Sequence, residues 1–357
     1  MTSKTDGAAA SNPLQSVHTT TLVDLLTQAG VSFLVSTYQA GKLIVVRADG
    51  PEVNTHFRDF HTPMGLAFDR GRLAVGTNVH VWEFHDQPAV ARTLEPADKH
   101  DSCFLPRSRV VTGQIGIHEV AWAGPELWVV NTRFSCLCTL DARWSFVPRW
   151  RPPFVSGLAA EDRCHLNGLG VRDGRPRYVT ALGETDVKDG WRPNKARGGC
   201  LIDVPSNEII ARGLSMPHSP RWHDGRLWVL ESGAGSLATV DLATGKLTQV
   251  ALLPGFTRGL DFFGPYAFIG LSQVRESAHF SGIPITDRLP VEERKCGVWV
   301  VDTRDGQVVA FLRFEQGVQE VFAVQLLPAR YPDVLPDEHA AVASTILLPD
   351  EALKDVA

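Results

Sequence analysis

The stretch GLSMPHSPRWHDGRLWVLESG, residues 213–233, sets His218 between Pro217 and Pro220. Proline fixes its own φ and restricts the residue before it, so the two prolines fix the direction of the imidazole, as a group held ready for chemistry requires. His118 holds the same place in HEVAWAGPELWVVNT, and His165 lies two residues before Asn167 in EDRCHLNGL. Three imidazoles with a carboxylate from Glu231 or Glu119 are the ligand types of a divalent Zn, Fe, Mn or Cu ion. The metal set expected is His118, His165, His218 and Glu231. Without metal, His118 and His218 can exchange protons near neutral pH while Arg258 and Arg133 clamp an anionic group. Asn167, Gln319 and Arg275 complete the expected substrate contacts. Structural roles stand beside each assignment: a histidine can bond a neighbouring strand, and an arginine can pair with an acidic neighbour. The sequence carries no GxSxG, phosphate-binding glycine loop, HExxH or EF-hand pattern.

The elements that must position these residues repeat along the chain. MGLAFDRGRLAVGT from Met64, HEVAWAGPELWVVNT from His118, NGLGVRDGRPRYVTAL from Asn167, HSPRWHDGRLWVLES from His218 and RGLDFFGPYAFIGLS from Arg258 share one form. Each is a polar or small residue, an apolar strand, a tight turn and a second apolar strand. The units recur roughly every 40 to 50 residues and two weaker strands follow each, which is the period of a propeller blade. A sixth unit is split: QEVFAVQLLP near the end supplies a first strand, and SFLVSTYQAGKLIVVRADG near the start supplies strands that lack one. Joining them closes the ring and removes two open sheet edges. The expected fold is therefore all-β, a six-bladed β-propeller in one domain over residues 20–330. A short helix at TLVDLLTQAG is expected to be capped by Thr20 or Thr21, with a disordered segment at 1–19 and a tail at 331–357.

In such a ring the starts of the first strands and the connections from second to third strands share one face. That face gathers Met64, His118, Asn167, His218, Arg258 and Gln319, followed by Glu119 and Glu320. Long connections are expected there too: LEPADKHDSCFLPRSRVVTGQIG before His118, GETDVKDGWRPNKARGG after the third unit, and the stretch from Gln273 to Lys295 with Arg275, Glu276, His279 and Phe280. Long loops of mixed composition in a compact domain are usually functional, so they are expected to form a lid over the channel.

Composition narrows the partners. With net charge −5 and scattered basic residues, the 357-residue chain lacks the positive field of a nucleic-acid binder. No run reaches the roughly 18 apolar residues of a membrane span, and MTSKTDGAAASNPLQSVHTT has no apolar core after its lysine, so a soluble, unexported protein is expected. The six cysteines show no CxxC pair and no zinc spacing, which fits reduced, buried thiols in a cytoplasmic protein.

At NTRFSCLCTLD, RPPFVSGLAAEDRCHLNGL, GLSMPHSPRW, LWVLESG, GLSQVRES and CGVWVVD the chain closely resembles a bacterial family of conserved hypothetical proteins without an assigned activity, over about residues 32 to 330. The resemblance implies the propeller and marks these segments as its signature. More distantly, the architecture is similar to gluconolactonases, strictosidine synthases and virginiamycin B lyase, propellers that work at the central channel. Gluconolactonases hold a divalent metal there with Glu, Asn and Asp, where this chain offers His118, Asn167 and His218. Two functions are expected to compete. One is an enzyme acting at the channel mouth on a small polar molecule or modified peptide, as a lyase, a hydrolase or a metal-dependent oxidoreductase; the other is a non-catalytic propeller that binds a peptide or protein on its loop-rich face.

Overall fold

The computed structural model describes residues 15–274 and 280–356. Six antiparallel sheets stand around a central channel. In blade order, the innermost strands are Ala323–Leu327, Leu66–Asp69, Ile117–Ala123, Leu166–Arg172, Pro217–His223 and Phe256–Phe263. We number the blades 1 to 6 in that order. Each inner strand touches the next, and the sixth touches the first, so the ring is closed.

Closure is the split blade that the sequence predicts. Ser32–Thr37 pairs antiparallel with Ala323–Leu327, Ser32 opposite Leu327, and Lys42–Asp49 and Glu52–Asp59 follow outward. The core is six seams rather than one centre. Leu34, Leu43 and Val45 of blade 1 pack on Leu73, Val75 and Phe84 of blade 2; Leu230 and Leu237 of blade 5 pack on Ile269 and Trp299 of blade 6. Strands such as Ser32–Thr37 and Tyr266–Ser272 are buried on both faces and therefore read as nearly continuous apolar runs. All six cysteines are buried and free.

Several boundaries differ from the sequence reading. The helix is Thr20–Ala29 with Thr19 at the N-cap position rather than Thr20 or Thr21, and no side chain caps it. The Thr19 hydroxyl is occupied instead: it accepts from the backbone N–H of Phe311 at 3.2 Å. Leu22 and Leu26 carry this helix onto the seam between blades 6 and 1. Ser16–His18, assigned to a disordered segment, adds a strand to the rim of blade 6, Ser16 opposite Phe314. Pro332–Val334, assigned to the tail, pairs in parallel with the outer strand of blade 2. That outer strand, Ser102–Val111, takes up part of the connection expected to be a loop before His118; it is buried at its start and largely exposed from Arg107 on, so it shows no alternation in the sequence. No described helix is long and apolar enough to cross a membrane.

One local device turns the inner strands toward the mouth. Along blade 3, Ile117 faces Asn131 while Val120 faces Val129, so one extra residue sits in the His118–Glu119 stretch. The same excess lies between His218 and Arg221 in blade 5 and between Thr257 and Leu260 in blade 6. A bulge of this kind bends the strand and re-aims its side chains. In blade 5 it requires Ser219 to take φ +50°, and the matching residue of blade 6 is Gly259 at φ +79°.

Candidate functional site

The mouth holds a cavity of about 260 Å³, lined by His118, His165, His218 and Arg258 together with Trp191, Phe280 and other apolar side chains. A second lobe of about 180 Å³ shares Phe256, Arg258, Phe280 and Glu320 with it and adds Gln39, Gln273 and Gln319. A mostly apolar recess with a few converging polar groups is the usual form of a small-molecule site.

The three imidazoles are held alike, each through Nδ1. At His118, Nδ1 lies 2.7 Å from the Thr132 hydroxyl, which is itself 2.6 Å from the Leu166 carbonyl oxygen. A hydroxyl has one proton, and the carbonyl can only accept it, so Nδ1 of His118 carries the hydrogen and donates to Thr132. At His218, Nδ1 lies 2.9 Å from the Met216 carbonyl oxygen, which again requires an Nδ1–H donor; the Ser232 hydroxyl is also at 2.9 Å. At His165, Nδ1 donates to Oδ2 of Asp162 at 2.8 Å. Fixing the tautomer this way leaves the Nε2 lone pair as the open valence, and among the described residues Nε2 of none of the three has a hydrogen-bond partner.

Burial pushes the pKa of His118 well below the ordinary imidazole value, helped by His165, Arg258 and His218 and opposed by the Gly116 carbonyl. Burial does the same to His218, with Arg258 adding to it and the Met216 carbonyl opposing. Both rings are neutral at physiological pH. His165 stands edge to face with His118, centroids 4.7 Å apart, and packs on Trp191 at 4.4 Å. The Trp191 indole N–H donates to the same Asp162 oxygen at 3.2 Å, so one carboxylate orients both rings. Asp162, His165, Met216 and Ser219 all have φ between +45° and +50°, a conformation that costs a non-glycine residue about 1 kcal/mol or more and gathers at ligand sites.

Arg258 projects from blade 6 with its Cζ 3.4 Å from the centre of the Phe322 ring. Its Nη1 donates to Oε1 of Glu320 at 3.3 Å. Burial lowers the guanidinium pKa to about 10, against the pull of Glu320 and Glu119, so it stays charged at neutral pH. Burial raises the Glu320 carboxyl, against Arg258.

The structure thus brings His118, His165, His218, Arg258 and Gln319 to one cavity and disperses the others. Glu231 is drawn away: its Oε1 accepts from the Ser215 backbone N–H at 3.1 Å, and it does not line the cavity. Among the described residues no group of three or more His, Cys, Asp or Glu side chains is arranged to hold a metal ion, so the predicted four-ligand set is not assembled. Asn167 is buried between blades, its amide donating to Pro217 O at 3.0 Å and accepting from Thr180 at 2.7 Å; it is a seam residue rather than a substrate contact. Arg133 is exposed and donates to Gln114 O at 3.2 Å, outside the cavity. Arg275 lies outside the described residues. The sequence reading missed Asp162, Trp191 and Phe322 as wall and support residues. Trp191 stands in the long connection after the second strand of blade 4, the one signal that pointed to it.

The fold and this recess define a six-bladed propeller with a ligand-sized cavity at its channel mouth. Residues 20–335 match a family described as a domain of unknown function (DUF4915), and the chain belongs to that family. No curated protein matches it. Among solved structures, a chain in the crystal structure of a nidogen/laminin complex aligns at 10% identity and TM-score 0.53, covering 84% of this chain and 100% of that one. A protein of unknown function from Bacteroides caccae aligns at 10% identity and TM-score 0.49, covering 84% and 99%. At such identity the first likeness shows the fold alone.

Proposed function

We propose that the chain is an enzyme that moves protons on a small organic molecule held in the mouth cavity, with His118 and His218 as the exchanging groups and Arg258 as the fixed charge beside them. The observation that carries this reading is the shared Nδ1 anchorage. Two neutral rings, His218 buried and His118 half-buried, are locked in the tautomer that presents an Nε2 lone pair, the state a general base needs before it acts. A histidine kept for packing alone has no need of a fixed lone pair next to a cavity. The Asp162–His165 pair adds a third ring beside His118, its orientation fixed by the carboxylate behind it.

The test is incubation of the wild-type protein and a His118→Asn/His218→Gln variant with a metabolite mixture, followed by mass spectrometry. Conversion of a compound by the wild type and its loss in a folded variant supports an enzyme. A second reading, capture of a peptide side chain without turnover, is favoured by the carboxamides of Gln39, Gln273 and Gln319 in the smaller lobe, which match peptide groups; a compound retained and released unchanged would support it.

A further inference from the structure

Two buried arginine–glutamate pairs bridge blades along the channel, and they differ in how far the guanidinium is satisfied. Arg221 donates to the carbonyls of Leu169 at 3.2 Å and Pro220 at 3.0 Å and to the Glu119 carboxylate. Arg258 makes one hydrogen bond among the described residues, the 3.3 Å contact with Glu320. A guanidinium carries five N–H donors in a planar fork, so most of the fork at Arg258 is unused although its side chain is only 12% exposed. The guanidinium carbon lies over the Phe322 ring, 3.4 Å from its centre, a wall that offers the fork no hydrogen-bond acceptor of the carboxylate kind. Glu320 is equally incomplete: Oε2 is buried and has no partner.

We propose that the cavity receives a monocarboxylate carried on a flat aromatic body, with the Arg258 fork as its receptor and Glu320 as the counterion that the ligand displaces. This rests on the reading of the cavity as a small-molecule site, not on any assumption about turnover. A planar carboxylate matches the fork in a two-bond arrangement, which a hydroxyl or amide cannot. Charge limits the ligand to one negative unit. The described lining has one cation, Arg258, and one carboxylate, Glu320; a carboxylate that enters while Glu320 takes a proton leaves the site neutral, whereas a phosphate dianion leaves a buried excess. The raised pKa of Glu320 is in keeping with that exchange. The flat body follows from the walls: Trp191, Phe256, Phe280 and Phe322 surround the recess, and aromatic side chains pair with a ring through stacked or edge-on contacts. Size agrees, since both lobes fall below the roughly 300 to 1,000 Å³ of drug-sized sites.

Calorimetric titration of the full chain with indole-3-acetate, phenylacetate, their neutral amides, cyclohexylacetate and phenyl phosphate tests this. The aromatic acids should bind about tenfold or more tightly than their amides, and than cyclohexylacetate and phenyl phosphate, because the charged two-bond contact is lost in the amides, the phosphate dianion brings an uncompensated second charge, and the cyclohexyl acid loses ring contact. Arg258→Lys should weaken the acids by about tenfold and leave the amides unchanged. Glu320→Gln, which removes the competing carboxylate, should tighten them. Equal binding of acids and amides, no effect of Arg258→Lys in a protein that melts as the wild type does, or no binding of any aromatic acid would each overturn the proposal. Acid binding without turnover would keep it and remove the proton-transfer reading; turnover of neutral compounds alone would do the reverse.

Discussion

The two arginine–glutamate pairs separate structure from site. Glu119–Arg221 and Arg258–Glu320 both link different blades and both are withdrawn from bulk water, with side-chain exposures of 7% and 24% in the first and 17% and 12% for Glu320 and Arg258 in the second. At Arg221 the attraction of Glu119 and Asp261 outweighs burial and raises the pKa; at Arg258 burial prevails and lowers it. Burial of charge therefore does not identify the site. An unfilled hydrogen-bonding valence does, because a buried ion is tolerated without partners only where something else supplies them.

The largest consequence falls on the Glu119–Arg221 pair. Glu119→Gln leaves Arg221 charged, largely buried and without its ion-pair partner, a change that costs about 3 to 5 kcal/mol when one partner of a buried pair is removed. Urea unfolding should show that loss, whereas Glu320→Gln should cost about 1 kcal/mol or less because its partner keeps most of its donors toward the cavity. Equal losses in the two variants would erase the distinction between the pairs.

Asn167 gives a middle-sized contrast with His218. Asn167→Ala strands the Pro217 carbonyl and the Thr180 hydroxyl inside the seam, which costs about 1 to 3 kcal/mol, and ligand binding should be unchanged. His218→Gln should do the opposite: melt nearly as the wild type and lose the site. A well-folded Asn167→Ala protein that no longer binds ligand would return this residue to the cavity.

That contrast also marks how far the sequence could be read. The propeller was legible because each blade repeats a strand, a tight turn and a strand, and because second strands buried on both faces keep that pattern visible. The ring positions were legible as well, and His118 and His218 were found from them. What the pattern could not tell is rotation about the strand. Asn167 occupies the same place as the two histidines, but Gly168 beside it admits Pro220 of the next blade, where any Cβ would collide with Pro220 and Thr180; the seam closes tightly and the Asn amide turns into it. Glu231 ends a second strand at the mouth as expected, yet the Ser215 N–H captures it. Glu320 reaches the mouth as its place in the repeat implies, and Phe280 from a connection expected there, but the part Trp191 takes came from a connection whose path no periodicity describes.

Acid should weaken the fold through the mouth by a smaller amount. His118 and His218 have folded-state pKa values well below that of the unfolded chain, so above about pH 6.5 both states are neutral and the rings have no effect on stability. Below it the unfolded chain binds protons that the folded chain refuses, and stability falls with pH by up to about 1.4 kcal/mol per unit for each ring until the folded value is reached. His56 and His100, whose pKa values burial also lowers, contribute in the same sense. Melting curves from pH 7.5 to 5 should therefore be less steep for His118→Asn/His218→Gln than for the wild type, though not flat. An unchanged slope would mean that the two rings titrate freely in the fold.

The smallest stability effect is expected where the binding effect is largest. Arg258→Met/Glu320→Gln removes both charges of the mouth pair at once, so neither is left without a counterion. Exchanging a whole buried pair for uncharged groups of similar size is commonly neutral, or stabilising by about 1 to 4 kcal/mol, since the desolvation of two ions no longer opposes folding. The lost contact of guanidinium with Phe322, about 0.5 to 2 kcal/mol at a partly desolvated site, works against that gain, and the methionine stem recovers part of it by covering the ring. The double variant should unfold within about 1 kcal/mol of the wild type while failing to bind any carboxylate. The same exchange at the other pair, Arg221→Met/Glu119→Gln, should cost more, because the Leu169 and Pro220 carbonyls lose their donor. A mouth variant that loses about 3 kcal/mol or more would show that Arg258 and Glu320 hold blades 6 and 1 together, and the unfilled fork would then be a by-product of packing rather than a receptor.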